Sequence, residues 1–470
     1  MHKAKRILRF DDFIQSKSTF SAASRYFPTP TAVGVSNSRN IFENLVAEEA
    51  LLRGLCLNEK EYLLFLYRND PCVVIGRNQN VIQEAALRRC QADGVPIARR
   101  SSGGGAVYHD AGNLCFSFFT HRKDYAPEKT IQILRLGLMA LCGIEGSRLG
   151  TTGRHDLFLD GRKITGSAMR VTGSIAFHHC TLLVSSDLPH LGRYLKPEGD
   201  FTHFETTSVD SVRSPVTTLQ STGVWPPPPT APGEAAGDLE HAMTRFFHHC
   251  APLILSHDAP QALPVDALRD VWRDGGERAG VALDVAGASD SRVNMPFLYG
   301  EGRRHQRGDA LTVAEDIARM QSRSWLFNMP VFTATVRVSA GEWLSRIRLL
   351  TEADAAAYEE VLSSLLGGAA EVELTTRVTR RKVDRVSASL PWLENLFTAF
   401  VTGGPCDAVV PGLVASESAT DGILDGLRME CRPLLDLGAA PGADDACDQI
   451  LCTVWRAVVE LWRAKNVFDI

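Results

Sequence analysis

A run of glycines beside two arginines is the first feature of the sequence that could do chemistry. The segment from Arg99 to Asn113 reads RRSSGGGAVYHDAGN. Three consecutive glycines cost backbone entropy, but they let the backbone approach a ligand and offer its N–H groups to phosphate oxygens. The two arginines supply forked donors for a phosphate or a carboxylate. We therefore predict an anion-binding loop, with a flexible hairpin loop as the plainer alternative.

A second segment, residues 153–168, predicts a hairpin that carries a lysine and a carboxylate. It reads GRHDLFLDGRKITGSA, with Asp-Gly between two apolar runs, which favours a two-residue turn. Such a turn pairs Phe158 with Lys163. Two residues further along each strand it pairs Asp156 with Thr165, so all four side chains share one face. We interpret Lys163 as neutralising a phosphate and Asp156 as holding a divalent cation; a weak surface salt bridge is the alternative.

Composition narrows the class of protein that could use these groups. The chain has 470 residues, 50 basic and 55 acidic, for a net charge of −5, which disfavours a nucleic-acid binder. The absence of an apolar run of about 18 residues disfavours a membrane span. Eleven cysteines without a CxxC pair predict reduced, mostly buried thiols.

The amino-terminal segment differs from the rest of the chain. Its first 42 residues hold seven lysines and arginines against two aspartates, and they are rich in serine and threonine. That composition is typical of a mitochondrial transit peptide, so we predict a leader over residues 1–35 and a mitochondrial location. A disordered basic tail without an address is the alternative.

Hydrophobic periodicity and turn residues predict alternating strands and helices as far as about residue 250. The predicted strands are Tyr62–Tyr67, Cys72–Ile75, Ala106–Tyr108, Leu114–Phe119, Leu157–Leu159, Lys163–Thr165 and Thr181–Val184, and the predicted helices are Asn44–Gly54, Thr130–Leu141 and Asp238–His249.

Beyond a run of four prolines, the pattern predicts a loose insertion and then a second structured part. The insertion carries one short helix, Pro264–Asp274. The second part is predicted to contain helices at Thr312–Met320, Glu352–Leu366 and Asp444–Ala464, alternating segments at Pro330–Val338 and Trp343–Leu349, and a strand pair or helix at Glu371–Val386.

Five segments in order resemble the lipoate–protein ligase family of the biotin/lipoate ligase superfamily. They are Leu63–Asn69 with VVIGRNQN, RRSSGGGAVYHDAGN, GRKITGSAMR, FHHCTLLV and Ser211–Thr217. The resemblance implies an α/β (α+β) fold with a mixed-sheet catalytic domain, followed by a smaller α/β accessory C-terminal domain. We accordingly expect a catalytic domain at 36–253, a linker or insertion at 254–310 and the accessory domain with its extension at 311–470.

The resemblance also implies a reaction: ATP activates lipoate as lipoyl-AMP, and a lysine of a lipoyl domain then accepts the lipoyl group. The implied acceptors are 2-oxoacid dehydrogenase E2 subunits and the glycine cleavage H protein, the implied cofactors are ATP and Mg²⁺, and the chain is expected to be a monomer. Lys163 is the implied catalytic residue and Asp156 the metal ligand. The implied ATP and lipoyl-AMP contacts are Arg100, Ser102, Gly103, Gly104, Gly105, Ala106, Val107, Tyr108, Asn113, Asp156, Lys163, Ser167 and Ala168. The implied lipoate pocket is Val107, His109, Phe177, His178 and His179.

Some positions depart from the family pattern, and other functions stay open. The family commonly has Asn, Ser and Gly where this chain has His155, Thr165 and Cys180. An amidotransferase of the same fold needs a cysteine near the lysine, and none lies between Cys142 and Cys180. A transferase that takes preformed lipoyl-AMP, or a non-catalytic binder of lipoyl domains, remains possible. The glycine loop of a biotin ligase, of GRGRxG type, is absent.

Overall fold

The computed structural model describes residues 7–9, 31–55, 57–225, 239–257, 259–274, 281–284, 313–350, 355–379, 382–400, 402, 425–431 and 443–466. Over these residues the chain is mixed α/β, as predicted. Contacts divide it into two compact units. The first comprises Met1–Arg77, Val95–Leu195 and Ser211–Trp325, and the second Asn78–Gly94, Lys196–Asp210 and Leu326–Ile470. The domain boundaries expected from the sequence stay predictions.

The strands are β1 (Ile7–Arg9), β2 (Thr31–Ser36), β3 (Tyr62–Tyr67), β4 (Cys72–Ile75), β5 (Ile97–Arg99), β6 (Val107–His109), β7 (Asn113–His121), β8 (Leu149–Thr151), β9 (Leu157–Leu159), β10 (Arg162–Lys163), β11 (Ser167–Val171), β12 (Ile175–Leu183), β13 (His203–Thr206), β14 (Val281–Asp284), β15 (Phe332–Ser339), β16 (Glu371–Thr379) and β17 (Lys382–Ala388). The helices are α1 (Ile41–Gly54), α2 (Val81–Glu84), α3 (Leu87–Ala92), α4 (Pro127–Cys142), α5 (Leu188–Tyr194), α6 (Leu239–Ser256), α7 (Val265–Asp274), α8 (Val313–Gln321), α9 (Arg323–Leu326), α10 (Ala340–Leu350), α11 (Ala355–Leu366), α12 (Pro391–Phe400), α13 (425–431) and α14 (Ala443–Asn466).

A seven-stranded sheet forms the centre of the first unit. Its order is β1-β14-β2-β3-β7-β12-β11, parallel from β1 to β3 and antiparallel from β3 to β11. Both faces are covered, because α1 packs with Phe65 and Phe119 on one side, while α4 and α6 pack with Phe116 and Phe118 on the other. Burial on both faces explains why β3 and β7 read as nearly continuous apolar runs.

Three strands of this sheet, β1, β2 and β14, lie wholly or mostly in segments in which the sequence predicted none. Ile7–Arg9 lies within the predicted leader, and Val281–Asp284 lies within the predicted insertion. They pair with each other in parallel, and β14 also pairs with β2. The helix predicted in the insertion is confirmed as Val265–Asp274. Three-residue and four-residue strands give too few alternations to be recognised from periodicity.

The second unit has its own sheet, in the order β13-β15-β16-β17 and antiparallel throughout. The strand pair predicted within Glu371–Val386 is confirmed. The alternating segment predicted at Trp343–Leu349 is wrong, because it lies in α10. The reason is a capping box at the start of this helix: Glu342 accepts from the Ser339 N–H at 2.8 Å, and the Glu342 N–H donates to Ser339 Oγ at 3.2 Å.

Candidate active site

Arg100 shapes the glycine loop from inside. Its side chain is buried, and its Nη2 donates to the carbonyl oxygens of Gly103 and Gly105 at 2.6 and 2.8 Å. Its Nη1 donates to the Val74 carbonyl at 3.2 Å. Burial lowers the pKa of Arg100 to about 10, so the guanidinium stays charged at neutral pH. Arg100 thus organises the loop, and in this conformation its donors face loop carbonyls.

Although the Gly103 and Gly105 carbonyls are bound to Arg100, the N–H groups of all three loop glycines are available. No described residue accepts a hydrogen bond from the N–H of Gly103, Gly104 or Gly105. Gly104 has a φ of +86°, in the left-handed region that favours glycine. A Cβ on Gly103 would meet nothing within 4 Å, so the loop opens to free space there. Consecutive free N–H groups of this kind make an anion-binding concavity.

The hairpin that carries the lysine has the predicted turn. Asp160 and Gly161 both have positive φ, at 50° and 76°, as a type I′ turn requires. The strands β9 and β10 pair Phe158 with Lys163, as predicted. Beyond this pair the predicted register is wrong. The Leu157 carbonyl accepts from the N–H groups of both Ile164 and Thr165, and this irregularity displaces Thr165 from its expected partner.

Asp156 fixes the lysine and the start of the next strand together. Lys163 Nζ donates to Asp156 Oδ2 at 2.7 Å, and the Ser167 N–H donates to Asp156 Oδ1 at 3.1 Å. The two side chains are 20% and 11% exposed, so the pair is partly shielded from water. Next to it, His155 has a φ of +61°, a conformation that Asn and His adopt more readily than most residues. A left-handed position accounts for the Asn that the family commonly has there.

Residues 211–217, for whose side chains no role was predicted, form hydrogen bonds to both the glycine loop and the lysine hairpin, and we call this segment the clamp. Ser211 Oγ accepts from the Ala106 N–H at 2.8 Å, and a Cβ on Gly105 would lie 2.9 Å from the same oxygen. Further along, the Lys163 N–H donates to the Pro215 carbonyl at 2.9 Å, and the Thr217 N–H donates back to Lys163 at 3.1 Å. In the sequence, the resemblance of Ser211–Thr217 to the family pattern was the signal that could have indicated a role for this segment.

The glycine loop and the lysine hairpin meet along β11. A Cβ placed on Gly104 would lie 3.0 Å from Ala168 Cβ and 3.6 Å from the Ser167 carbonyl oxygen. A Cβ placed on Gly166 would lie 3.8 Å from Val107 Cγ1 and 3.9 Å from Lys163 Cε. The structure therefore brings together most of the predicted nucleotide contacts, which are Arg100, Ser102, Gly103, Gly104, Gly105, Ala106, Val107, Asp156, Lys163, Ser167 and Ala168.

Tyr108 and Asn113 have other partners. The Tyr108 ring stacks on Tyr194 with a centroid distance of 5.5 Å, and the side chain is buried. Asn113 begins β7, and its Nδ2 donates to Cys115 Sγ at 3.2 Å. Both side chains are therefore held in packing contacts around β6 and β7.

The predicted lipoate pocket divides between two faces of the sheet. Phe177 and His179 lie on the α1 face, with their ring centroids 4.9 Å apart. His178 points the opposite way, as neighbours on a strand must, and its Nδ1 shares a hydrogen bond with Thr130 of α4. His178 therefore cannot line one cavity together with Phe177 and His179, and the prediction that grouped them is corrected.

Two histidines of that predicted pocket are buried and neutral. Burial is the main cause that lowers the pKa of His109 to about 3, with smaller effects from Arg100 and His179. Burial likewise lowers the pKa of His178 to about 3, with smaller effects from His179 and His155. His109 Nδ1 accepts from Asn69 Nδ2 at 2.9 Å, which puts the ring proton on its other nitrogen.

The site residues thus form a glycine loop and a lysine hairpin on a mixed α/β domain, an arrangement suited to holding an anionic group. Residues 40–230 match the family model of the lipoyl protein ligase A/B catalytic domain. This match confirms the resemblance to the family that was found in the sequence.

Solved structures of related proteins also align with the chain. P. falciparum LipL1 in complex with lipoate is 17% identical, with 90% of this chain and 99% of that chain covered and a TM-score of 0.41. Lipoate-protein ligase A bound with ATP is 22% identical, with 52% and 94% covered and a TM-score of 0.37. T. acidophilum Ta0514, a putative lipoate protein ligase with bound lipoic acid, is 26% identical, with 36% and 72% covered and a TM-score of 0.32. At these TM-scores the family assignment rests on the match over residues 40–230.

Proposed function

We propose that this protein is a lipoate–protein ligase that activates lipoate with ATP and transfers the lipoyl group to a lysine of a lipoyl domain. The observation that carries the proposal is that the glycine loop, with its free N–H groups, and the Lys163 side chain both lie at the start of β11. The family match supports the coarse reaction class, and this juxtaposition supports adenylate chemistry within it.

Activation requires orientation and charge neutralisation and no protein nucleophile. A lipoate carboxylate oxygen attacks the α-phosphorus of ATP, and the bond to pyrophosphate breaks. The Gly103–Gly105 N–H groups and Lys163 Nζ then face charge that develops on the phosphate and carboxylate oxygens. In the second step the acceptor amine attacks the acyl carbon and AMP leaves, with Lys163 still compensating the phosphate charge.

Asp156 fits a magnesium ion that arrives with ATP. Each of its oxygens accepts one hydrogen bond, from Lys163 or from the Ser167 N–H, and each keeps a lone pair free. Among the described residues no group of three or more His, Cys, Asp or Glu could hold a metal ion. Mg²⁺ commonly uses one or two carboxylates together with substrate phosphates, so a single aspartate suffices. When bound, the ion would neutralise phosphate charge.

The environment of the cysteines disfavours the amidotransferase alternative. Cys180, the cysteine that follows the hairpin in sequence, is buried, and burial raises its pKa well above the usual range. Burial also raises the pKa of Cys142 to about 12. A thiol nucleophile needs thiolate character, which both environments oppose.

The setting follows from the same proposal. The acceptors would be lipoyl domains of 2-oxoacid dehydrogenase complexes and the glycine cleavage H protein, the location mitochondrial, and the enzyme a monomer. Nucleic acid and membrane are not expected as partners. None of the helices in the described part of the chain has the length and apolarity needed to cross a bilayer.

Lipoate-dependent exchange of pyrophosphate into ATP tests the activation step. We expect exchange by the full chain and a loss of about 100-fold or more in Lys163→Ala, the range seen when one charge-stabilising donor is removed. Arg162→Ala is the matched control, since Arg162 is on the same hairpin with an exposed side chain. No exchange by the unaltered protein would refute ATP-dependent activation. Transfer from supplied lipoyl-AMP would then identify the transferase alternative, and its absence the non-catalytic binder.

A further inference from the structure

A chain of hydrogen bonds joins the buried carboxylate of Glu48 to the guanidinium of Arg100. Arg100 Nε lies 3.2 Å from Ser102 Oγ, and Ser102 Oγ lies 2.8 Å from His179 Nε2. His179 Nδ1 lies 3.2 Å from Glu48 Oε1. Helix α1, the glycine loop and strand β12 each supply a member. No motif in the sequence pointed to Glu48.

All three hydrogen bonds between Arg100 and Glu48 can be donated in the same direction, from Arg100 toward Glu48. Arg100 can only donate, so Ser102 Oγ accepts from it, and we assign the hydroxyl proton of Ser102 to the bond with His179 Nε2. The His179 ring then carries its proton on Nδ1 and donates to Glu48. This assignment gives each of the three hydrogen bonds one donor and one acceptor, and it connects the Arg100 guanidinium to the Glu48 carboxylate through Ser102 and His179.

Glu48 is held firmly enough to anchor the chain. It is 3% exposed, and its Oε1 also accepts from the Tyr67 hydroxyl at 3.0 Å and from Ser117 Oγ. Arg100 is buried as well, at 5% exposed, and a buried cation without a counter-charge is costly. The charge of Glu48 acts in the direction that keeps Arg100 protonated.

We propose that Glu48, His179 and Ser102 form a positioning relay that holds Arg100 against the carbonyls of the glycine loop. With Arg100 held, the Gly103 and Gly105 carbonyls point inward and the loop N–H groups point toward the substrate. The relay therefore sets the geometry of anion binding without touching the reacting atoms. Its kinetic consequence rests on the proposed ligase function, whereas its hydrogen-bond pattern does not.

His179→Ala removes the middle of the relay and leaves a space that imidazole can fill. We expect the KM for ATP in pyrophosphate exchange to rise about tenfold or more, which corresponds to the loss of about one charge-assisted hydrogen bond. Added imidazole should lower that KM again by reconnecting Ser102 with Glu48. Tyr67→Phe is the control: Ser117 still holds Glu48 in this variant and the path from Glu48 to Arg100 is intact, so its KM should stay within about twofold.

A KM that is unchanged in His179→Ala, or raised but insensitive to imidazole, would overturn the relay. So would an equal rise in Tyr67→Phe, since that would show a general loss of packing around Glu48. Nitrogen-15 NMR of the histidine rings separates this from failure of the ligase proposal. The spectra should show a proton on His179 Nδ1 and none on Nε2, whether or not exchange is observed. A proton on Nε2 instead would refute the relay in an active or an inactive protein.

Discussion

Adding one methyl group at either of two neighbouring glycines tests how the anion-binding loop is built. Gly104 has a φ of +86°, and a Cβ there would lie 2.8 Å from Arg100 Nη2 and 3.0 Å from Ala168 Cβ. Gly103 lacks a positive φ, and a Cβ there would meet nothing within 4 Å. Gly104→Ala and Gly103→Ala thus make the same chemical change in opposite environments.

The structure allows the difference in the free energy of unfolding between the two variants to be estimated. An L-residue in the left-handed region costs about 1–2 kcal/mol. Displacing Arg100 Nη2 weakens its bonds to two loop carbonyls, and a hydrogen bond to a charged group contributes about 1.5–3 kcal/mol. We therefore expect Gly104→Ala to lower the free energy of unfolding by about 3–5 kcal/mol. Gly103→Ala should be neutral or slightly stabilising, because alanine restricts the unfolded chain.

Urea unfolding followed by circular dichroism measures the free energy of unfolding of both variants, and pyrophosphate exchange measures their KM for ATP. Gly103→Ala should fold normally yet raise the KM for ATP, since its methyl group would occupy the open space where an anion approaches. Equal destabilisation by the two substitutions, or a change below about 1 kcal/mol in Gly104→Ala, would refute this account of the loop. A stable Gly103→Ala with an unaltered KM would show that the anion does not approach there.

Two further predictions concern the clamp and the buried histidines. Ser211→Ala leaves the Ala106 N–H without its acceptor, so we expect a loss of about 1 kcal/mol in urea unfolding and a raised KM for ATP; an unchanged KM would count against the clamp. His109 and His178 have folded pKa values of about 3, below the unfolded value of 6.5. The unfolded chain therefore takes up protons first, and unfolding free energy should fall as the pH drops from about 6.5 toward 4, with each histidine contributing up to about 1.4 kcal/mol per pH unit. His178→Asn should reduce this slope in unfolding titrations, and a slope that does not change would refute its burial as a neutral ring.

The parts of the site that the sequence predicts are those that local chemistry determines. The Asp160-Gly161 turn follows from which residues accept positive φ, so the pairing of Phe158 with Lys163 follows as well. The register error at Thr165 arises one step later, where the chain leaves the hairpin toward β11. There a tertiary requirement, the pairing of β11 with β12, overrides the ladder that the turn alone would continue.

The errors in the predicted lipoate pocket have a different origin. Family position alone grouped His178 with His179, whereas alternation along β12 separates them. Applying that period to the two histidines would have placed them on opposite faces even without the structure. Glu48 could not be found in this way, because nothing within α1 indicates that its carboxylate reaches a histidine on β12. The positioning relay consists of contacts between elements that are distant in sequence, and local sequence patterns do not indicate such contacts.

The order of the strands also places the site residues far from β1 and β14, which lie at the other end of the central sheet. The strands from the predicted leader and insertion, β1, β14 and β2, lie together at one end of the sheet, whereas Ser167, Ala168 and His179 belong to β11 and β12. Four strand spacings lie between β14 and β12, which at about 4.8 Å each amount to about 19 Å. Changes at the β1–β14 edge therefore do not touch the glycine loop or Lys163 directly. Any effect on activity would have to pass through the packed strands β2, β3 and β7, so we expect substitutions at that edge to alter stability before they alter the KM for ATP.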